Sequence, residues 1–239
     1  YGADMGAFGY FLAVFHIFRL RVFDHVFSMS TAMSDQLKKI AGVNSHIVGN
    51  FIEENIGVDR AYQPKESDKL MLVFVGSLSK RKRPILLLRA IRQLVDQGIN
   101  VKLNMLGSGE LQSKIEKTVI ELGIEENVTL QGFVKNPLVE VKDADLMILP
   151  STSEGASRAV LEALFLGVPC VLSNVDGNRE LIQEGINGAL FDEDEDLADA
   201  IIRASNVLSE NAEHFKMNLL PKENRQEFST SLIKQILEK

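Results

Sequence analysis

From Leu70 onward, short runs of apolar and β-branched residues alternate with longer stretches whose apolar positions recur every three or four residues. Short apolar runs predict buried strands, the longer pattern predicts amphipathic helices, and their alternation is typical of βαβ units. The six predicted strands are Leu70–Val75, Val101–Leu106, Val128–Gln131, Leu146–Leu149, Pro169–Ser173 and Ala189–Phe191. The predicted helices between them are Pro84–Gln97, Glu110–Leu122, Pro137–Asp143, Arg158–Leu166 and Asn178–Glu184. The predicted fold class is α/β, with a doubly wound, six-stranded parallel sheet.

Proline and glycine residues at the expected helix ends support these boundaries. Pro84 suits a first helical position, and glycines follow four of the predicted helices, at Gly98, Gly123, Gly167 and Gly185. Six parallel strands in this rhythm most often pair in the order 3-2-1-4-5-6, and ligands then bind beyond the carboxyl ends of strands 1 and 4. This order selects two loops, 76–83 after the first strand and 150–157 after the fourth.

The flanking regions have weaker patterns. Asp24–Ser30 and Ala32–Ile40 predict one strand and one helix, which are too little for a domain. Residues 50–69 are polar without a clear period and predict a linker. Two more helices are predicted after the sixth strand, at Asp196–Leu208 and Arg225–Leu237.

Charge and apolar run length exclude two classes of function. The formal net charge is −7 and the isoelectric point is near 5.2, which argues against sequence-independent nucleic-acid binding. The longest apolar stretch, Gly6–Phe18, is shorter than the roughly 20 residues of a membrane-crossing helix. Its aromatic residues are interpreted as a core helix, with docking on a membrane surface as the alternative.

The remaining candidate chemistry is sparse. The single cysteine, Cys170, lies in an apolar run and predicts a small core residue in a reducing, cytoplasmic compartment. None of the four histidines has metal-ligand spacing to a cysteine or carboxylate, so no metal site is predicted. The acidic run Asp192–Asp196 is interpreted as a solvated helix start that the helix dipole favours.

The first selected loop carries four consecutive cations, Lys80 to Arg83, in an otherwise acidic chain. Taken alone, such a run is most often a solvated basic turn. At a sheet edge and beside a helix start, ammonium and guanidinium groups instead form a pocket for phosphate. A Walker-type P-loop is excluded because its glycine spacing and Lys-Ser/Thr pair are absent.

The second loop carries Glu154 and enters a helix that carries Glu162. Eight helical residues rise roughly 12 Å, which is too far for the carboxyl pair of a glycosidase. The two carboxylates are predicted either to bind hydroxyls at two ends of one elongated ligand or to be an ordinary turn and surface residue. Gly107-Ser108-Gly109 after the second strand is a weaker signal, interpreted as a structural turn.

Several motifs occur in one order along the chain: Val75-Gly76-Ser77-Leu78 with Lys82, Leu106 to Gly109, Leu130 to Val134, Pro150 to Ala163, Gly167 to Val171, and Glu180. In this order they resemble the carboxyl-terminal half of GT-B-type retaining glycosyltransferases of the glycosyltransferase group 1 family. The resemblance runs from about Val26 to Ala204.

The resemblance implies a donor site built from named positions. Lys82 would bind the donor diphosphate, Glu154 would contact hydroxyls of the transferred sugar, and Glu162 would hold the ribose. The backbone around Phe133 and Val134 would frame the base, and the amides of Gly155, Ala156 and Ser157 would face sugar and phosphate. Gly76, Ser77 and Arg81 complete the predicted donor-binding set. Ser77 stands where the family usually has arginine, so Arg81 or Arg83 is expected to supply the missing charge.

The resemblance also implies the wider organisation. Residues 1–49 would be a remnant of an amino-terminal acceptor domain, 50–69 a linker, 70–208 the Rossmann-like nucleotide-sugar-binding domain, and 209–239 a helical tail. We expect a truncated enzyme that transfers a sugar from a nucleoside diphosphate sugar to a glycan or lipid-linked acceptor. Transfer would occur with retention and without metal or cofactor. Its location would be the cytoplasm, with the inner face of the membrane as the alternative. The alternative is a non-catalytic nucleotide-sugar-binding subunit that needs a separate acceptor-binding partner.

Overall fold

The structure is a computed structural model that describes residues 15–52, 69–210, 219–221 and 224–238, apart from the side chains of Glu195, Ser209 and Glu210. The chain divides into two compact units, which are Ile52–Pro221 and the combination of Tyr1–Phe51 with Lys222–Lys239. The predicted linker and the apolar stretch Gly6–Phe18 lie largely outside the described residues.

The smaller unit contains a pair of short parallel strands and one helix between them. Its elements are helical residues 15–19, a 3-10 turn Leu20–Val22, β1 (Phe27–Ser28), α1 (Thr31–Ala41), β2 (His46–Ile47) and a carboxyl-terminal helix Gln226–Leu237. Helix α1 begins where the Ser30 hydroxyl accepts from the Met33 amide, a normal N-cap. The predicted strand Asp24–Ser30 is therefore real but limited to two paired residues.

The larger unit is an α/β sandwich. Its strands are β3 (Leu70–Val75), β4 (Val101–Leu106), β5 (Val128–Gly132), β6 (Leu146–Leu149), β7 (Cys170–Ser173) and β8 (Gly188–Phe191). Its helices are α2 (Pro84–Asp96), α3 (Gln112–Glu121), α4 (Leu138–Lys142), α5 (Arg158–Phe165), α6 (Asp176–Arg179) and α7 (Leu197–Glu210), with 3-10 turns at Lys80–Lys82 and Asp194–Asp196.

The six strands pair in parallel in the order β5-β4-β3-β6-β7-β8. This is the predicted 3-2-1-4-5-6 order, which is confirmed. Strands β6 and β7 are buried at every residue, because helices cover both faces of the sheet. The order reverses between β3 and β6, so the carboxyl ends of these strands open a crevice for the two selected loops.

One predicted helix is wrong. The sequence predicted Asn178–Glu184, whereas α6 spans only Asp176–Arg179. The Gln183 amide donates to Asn187 Oδ1 at 2.7 Å instead of to a helical carbonyl, and Asn187 Nδ2 donates to Leu181 O at 2.9 Å. Asparagine side chains compete in this way with the helix ladder, which explains the early end.

Candidate functional site

The two loops selected by the strand order meet at one edge of the sheet. The Thr152 amide donates to Arg81 O at 2.8 Å, which joins the loop after β6 to the loop after β3. The Lys80–Lys82 stretch is a 3-10 turn, so its side chains leave the backbone in different directions. One of them points inward, because Lys82 is buried while Lys80 is exposed.

Lys82 and Glu154 form a close ion pair. Lys82 Nζ donates to Glu154 Oε1 at 2.6 Å, and the two side chains are 9% and 7% exposed. The lysine stem lies along Gly76, where an added Cβ would be 3.5 Å from Lys82 Cε. Lys82 is therefore not part of a solvated basic turn, and Glu154 is not an ordinary turn residue.

The two neighbouring arginines have different partners. Arg81 Nη1 donates to Glu154 Oε1 at 3.0 Å and to Ser153 O at 2.9 Å, with half of its side chain exposed. Arg83 Nε donates to Pro150 O at 2.6 Å, and its guanidinium also bonds Asp194. Of the two candidates for the missing charge, Arg81 is thus the one beside Glu154.

A cavity of about 350 Å³ opens next to the ion pair. It is lined by Val75, Gly76, Ser77, Leu106, Gly107, Ser108, Phe133 and Val134. Four of these residues, Gly76, Ser77, Phe133 and Val134, belong to the predicted donor-binding set. Because the cavity lies between the ends of β3, β4 and β5, it suits a flat ligand group held against glycine backbone.

Gly107 and Ser108 line this cavity, although the sequence pattern was interpreted only as a structural turn. A Cβ at position 107 would lie 1.8 Å from Gly76 O, so the two loops touch through their backbones. The signal was present in the Gly-Ser-Gly turn after β4, the strand next to β3. What the sequence could not show is the backbone contact between this turn and the loop after β3.

The remaining predicted residues surround the start of α5. Gly155 and Ala156 are half-buried, and Ser157 is buried at the N-cap position with extended backbone. Among the described residues, the Ser157 side chain makes no capping hydrogen bond to the helix amides. Glu162 accepts from Arg158 Nε at 2.8 Å and its side chain is 13% exposed, so it is largely enclosed rather than solvated.

Other chemistry is limited in the described part of the chain. The described residues contain no group of three or more histidine, cysteine or acidic side chains placed to hold a metal ion. Cys170 is buried, as predicted, and burial raises the pKa of its thiol. Among these same residues, no helix has the length and apolar character of a membrane crossing.

Sequence comparison places most of the larger unit in a known group. Residues 56–218 match the family model of the glycosyl transferases group 1. An uncharacterised glycosyltransferase of Methanocaldococcus jannaschii is 33% identical over 138 residues, which cover 57% of this chain and 35% of that protein. The N-acetyl-alpha-D-glucosaminyl L-malate synthase of Bacillus anthracis is 31% identical over 176 residues, covering 70% of this chain and 46% of that protein. The chain thus spans less than half the length of these relatives.

Solved structures agree on the fold. HepE of Anabaena, solved in complex with UDP and glucose, superposes with a TM-score of 0.77 at 21% identity, over 98% of this chain and 67% of that chain. TarM of S. aureus, solved as a mutant in a complex that includes UDP, gives a TM-score of 0.79 at 21% identity, over 94% of this chain and 45% of that chain.

Proposed function

Because the chain belongs to the glycosyl transferases group 1 family, we propose that it holds the donor site of a retaining glycosyltransferase. The donor would be a nucleoside diphosphate sugar and the acceptor a glycan or a lipid-linked acceptor. The observation that carries this proposal is the buried contact of Lys82 with Glu154 beside the cavity at the strand crossover. In this contact a cation lies 2.6 Å from the carboxylate that would bind the sugar.

The proposed donor would occupy the crevice in three parts. Its base would lie in the cavity between Gly76, Gly107 and Phe133, where backbone approaches closely enough for a flat ring to pack. Glu162 would accept from the ribose hydroxyls, since a carboxylate suits paired hydroxyl donors. The sugar would lie against Glu154, and the diphosphate would lie between sugar and ribose. UDP in the HepE and TarM complexes makes a uridine nucleotide the first donor to test.

Departure of the diphosphate is the step that needs help. The bond from the anomeric carbon to the diphosphate oxygen breaks, and its electron pair leaves with the diphosphate. The acceptor oxygen bonds to that carbon on the same face, and its proton passes to the departing phosphate oxygen. Lys82 and the amides at the start of α5 would stabilise the growing negative charge.

Calorimetric titration with UDP tests the Lys82 assignment. Lys82→Ala should weaken UDP binding at least tenfold, and in a complete enzyme it should lower turnover about a hundredfold, since one preorganised charge donor contributes roughly 3 kcal/mol. Lys80→Ala is the matched control, because it removes the same charge from an exposed neighbour. It should bind UDP like the wild type.

Two outcomes would contradict the proposal. Equal UDP affinity of wild type and Lys82→Ala would remove Lys82 from the diphosphate site. Failure of the wild type to bind UDP, GDP or ADP at millimolar concentration would remove the donor site itself. Product formation by the isolated chain with its acceptor separates a transferase from a binding subunit, and the anomeric configuration of that product tests retention.

A further inference from the structure

Gly177 lies in α6, which follows the carboxyl end of β7. Strand β7 pairs with β6, the strand that leads into the Glu154 loop. It is buried, and a Cβ built on it would lie 1.8 Å from Gly155 O and 2.3 Å from Glu154 O. Both of these atoms belong to the main chain. No side-chain rotation can therefore make room for a larger residue at this position.

The backbone conformation of Gly177 does not require glycine. Its φ angle lies outside the left-handed region that other residues avoid. Within a helix, glycine is about 1 kcal/mol less favourable than alanine. The close approach to the Glu154–Gly155 peptide is thus the physical reason for a glycine in α6.

A second contact holds the other end of the same loop. The Ser173 hydroxyl donates to Ser151 O, and Asn178 Nδ2 donates to Ser173 O at 2.8 Å. Ser151, Ser173 and Asn178 are all buried. The segment from Ser173 to Asn178 therefore supports the Glu154 loop both at its beginning and at Glu154.

We propose that Gly177 is a positioning residue for Glu154, and that this positioning depends on the Ser173 hydroxyl, which holds the beginning of the same loop in place. Its bare backbone lets the Glu154–Gly155 peptide sit deep enough for the carboxylate to meet Lys82 Nζ at 2.6 Å. Any side chain at position 177 displaces that peptide and lengthens the contact. The consequence for sugar binding rests on the proposed function, in which Glu154 holds the transferred sugar.

A double-mutant cycle tests the geometry without any ligand. In the wild-type background, Lys82→Ala should lower the thermal midpoint because it leaves Glu154 without its buried partner. In the Gly177→Ala background, the same substitution should lower the midpoint by less than half as much, since the pair is already separated. Gly185→Ala is the control background. It strains a residue at φ +72°, but its Cβ meets nothing within 4 Å, so it should leave the Lys82 effect unchanged.

Ligand binding gives the second readout. Gly177→Ala should bind UDP within twofold of the wild type and UDP-glucose at least tenfold more weakly. General destabilisation would affect both ligands alike, and Gly185→Ala measures that effect.

An undiminished Lys82 effect in Gly177→Ala would overturn the proposal. If Gly177→Ala fails to fold, Ser173→Ala takes its place, because it adds no atom and removes the hydrogen bond to Ser151 O. An undiminished Lys82 effect there would overturn the proposal equally. A reduced Lys82 effect without UDP binding by the wild type would keep Gly177 as a positioning residue and contradict the donor site alone.

Discussion

At the scale of single residues, the site concentrates positive charge in a chain of negative charge. Lys82 and Arg81 both donate to the same oxygen of Glu154, so one carboxylate and two cations leave a local charge of +1. The whole chain carries −7. Lys82 is nearly excluded from water, and an unpaired ammonium would be strongly unfavourable in such a buried position. Its pairing with Glu154 is therefore a condition of its burial. In the proposed function, an incoming diphosphate would therefore meet a cation that is already desolvated and held in place.

Cys170 gives a residue-scale prediction about pH. Burial raises the pKa of its thiol, whereas the unfolded thiol titrates near 8.5. As the pH rises above about 8.5, the unfolded state releases a proton that the folded state keeps, so the stability of the fold falls. Between pH 7 and 9.5, wild type should lose about 1.4 kcal/mol more of its unfolding free energy than Cys170→Ala. Urea unfolding at both pH values measures this difference.

The variant also serves as the control, because it retains the other titrating groups. Equal pH dependence of the two proteins would show that the thiol ionises in the folded state. Rapid labelling of native Cys170 by iodoacetamide at pH 8 would contradict its burial independently.

At the scale of elements, the site depends on loops that touch through their backbones. Gly107 follows β4 and lies against Gly76, which follows β3, so the cavity floor is formed by two adjacent strand ends. The Lys82 stem lies over the same glycine, Gly76. This approach leaves no room for a side chain at Gly107, whereas a Cβ at Gly76 would make an ordinary contact with Lys82 Cε at 3.5 Å.

Gly107→Ala should therefore destabilise the larger unit and close the cavity. Its Cβ would overlap Gly76 O, and its φ of +149° adds backbone strain. We expect a loss of several kcal/mol, compared with about 1 kcal/mol for Gly98→Ala, which is strained at φ +78° but meets nothing within 4 Å. Urea unfolding measures both losses. Under conditions where both variants are folded, UDP affinity should fall at least tenfold for Gly107→Ala alone, and equal affinities would contradict the cavity as the nucleotide site.

At the scale of the whole molecule, the cavity and the Lys82–Glu154 ion pair both belong to the unit Ile52–Pro221. A donor that binds only the folded state stabilises that unit by mass action, by about 2.7 kcal/mol at a hundredfold excess over the dissociation constant. We predict slower amide exchange with UDP in residues 76–83, 106–109, 133–134 and 154–162, measured by hydrogen exchange with mass spectrometry. Residues 15–51 are the internal control and should exchange at an unchanged rate. New protection confined to residues 15–51 would contradict the site.

The sequence alone determined the layout of the larger unit. Strands buried on both faces must be continuous apolar runs, and this is why Leu70–Val75 and Leu146–Leu149 could be predicted to the residue. The bounds of Val101–Leu106 were also predicted to the residue, although Lys102 and Asn104 interrupt its apolar run. The alternation with helices restricts the sheet to few topologies, and the observed order is the commonest of them. The same predicted order selected the loops 76–83 and 150–157, which the structure brings together at one edge of the sheet.

Only the tertiary structure decided which members of those loops act together. Four adjacent cations look alike in sequence, and their separation into buried Lys82, half-exposed Arg81 and Arg83 bound to Pro150 depends on contacts some 70 positions away. The close approaches of Gly107 and Gly177 depend on neighbouring strands in the same way. Periodicity reports local burial, whereas a binding site is defined by contacts between residues that are distant in the chain, and the three-dimensional fold alone specifies those contacts.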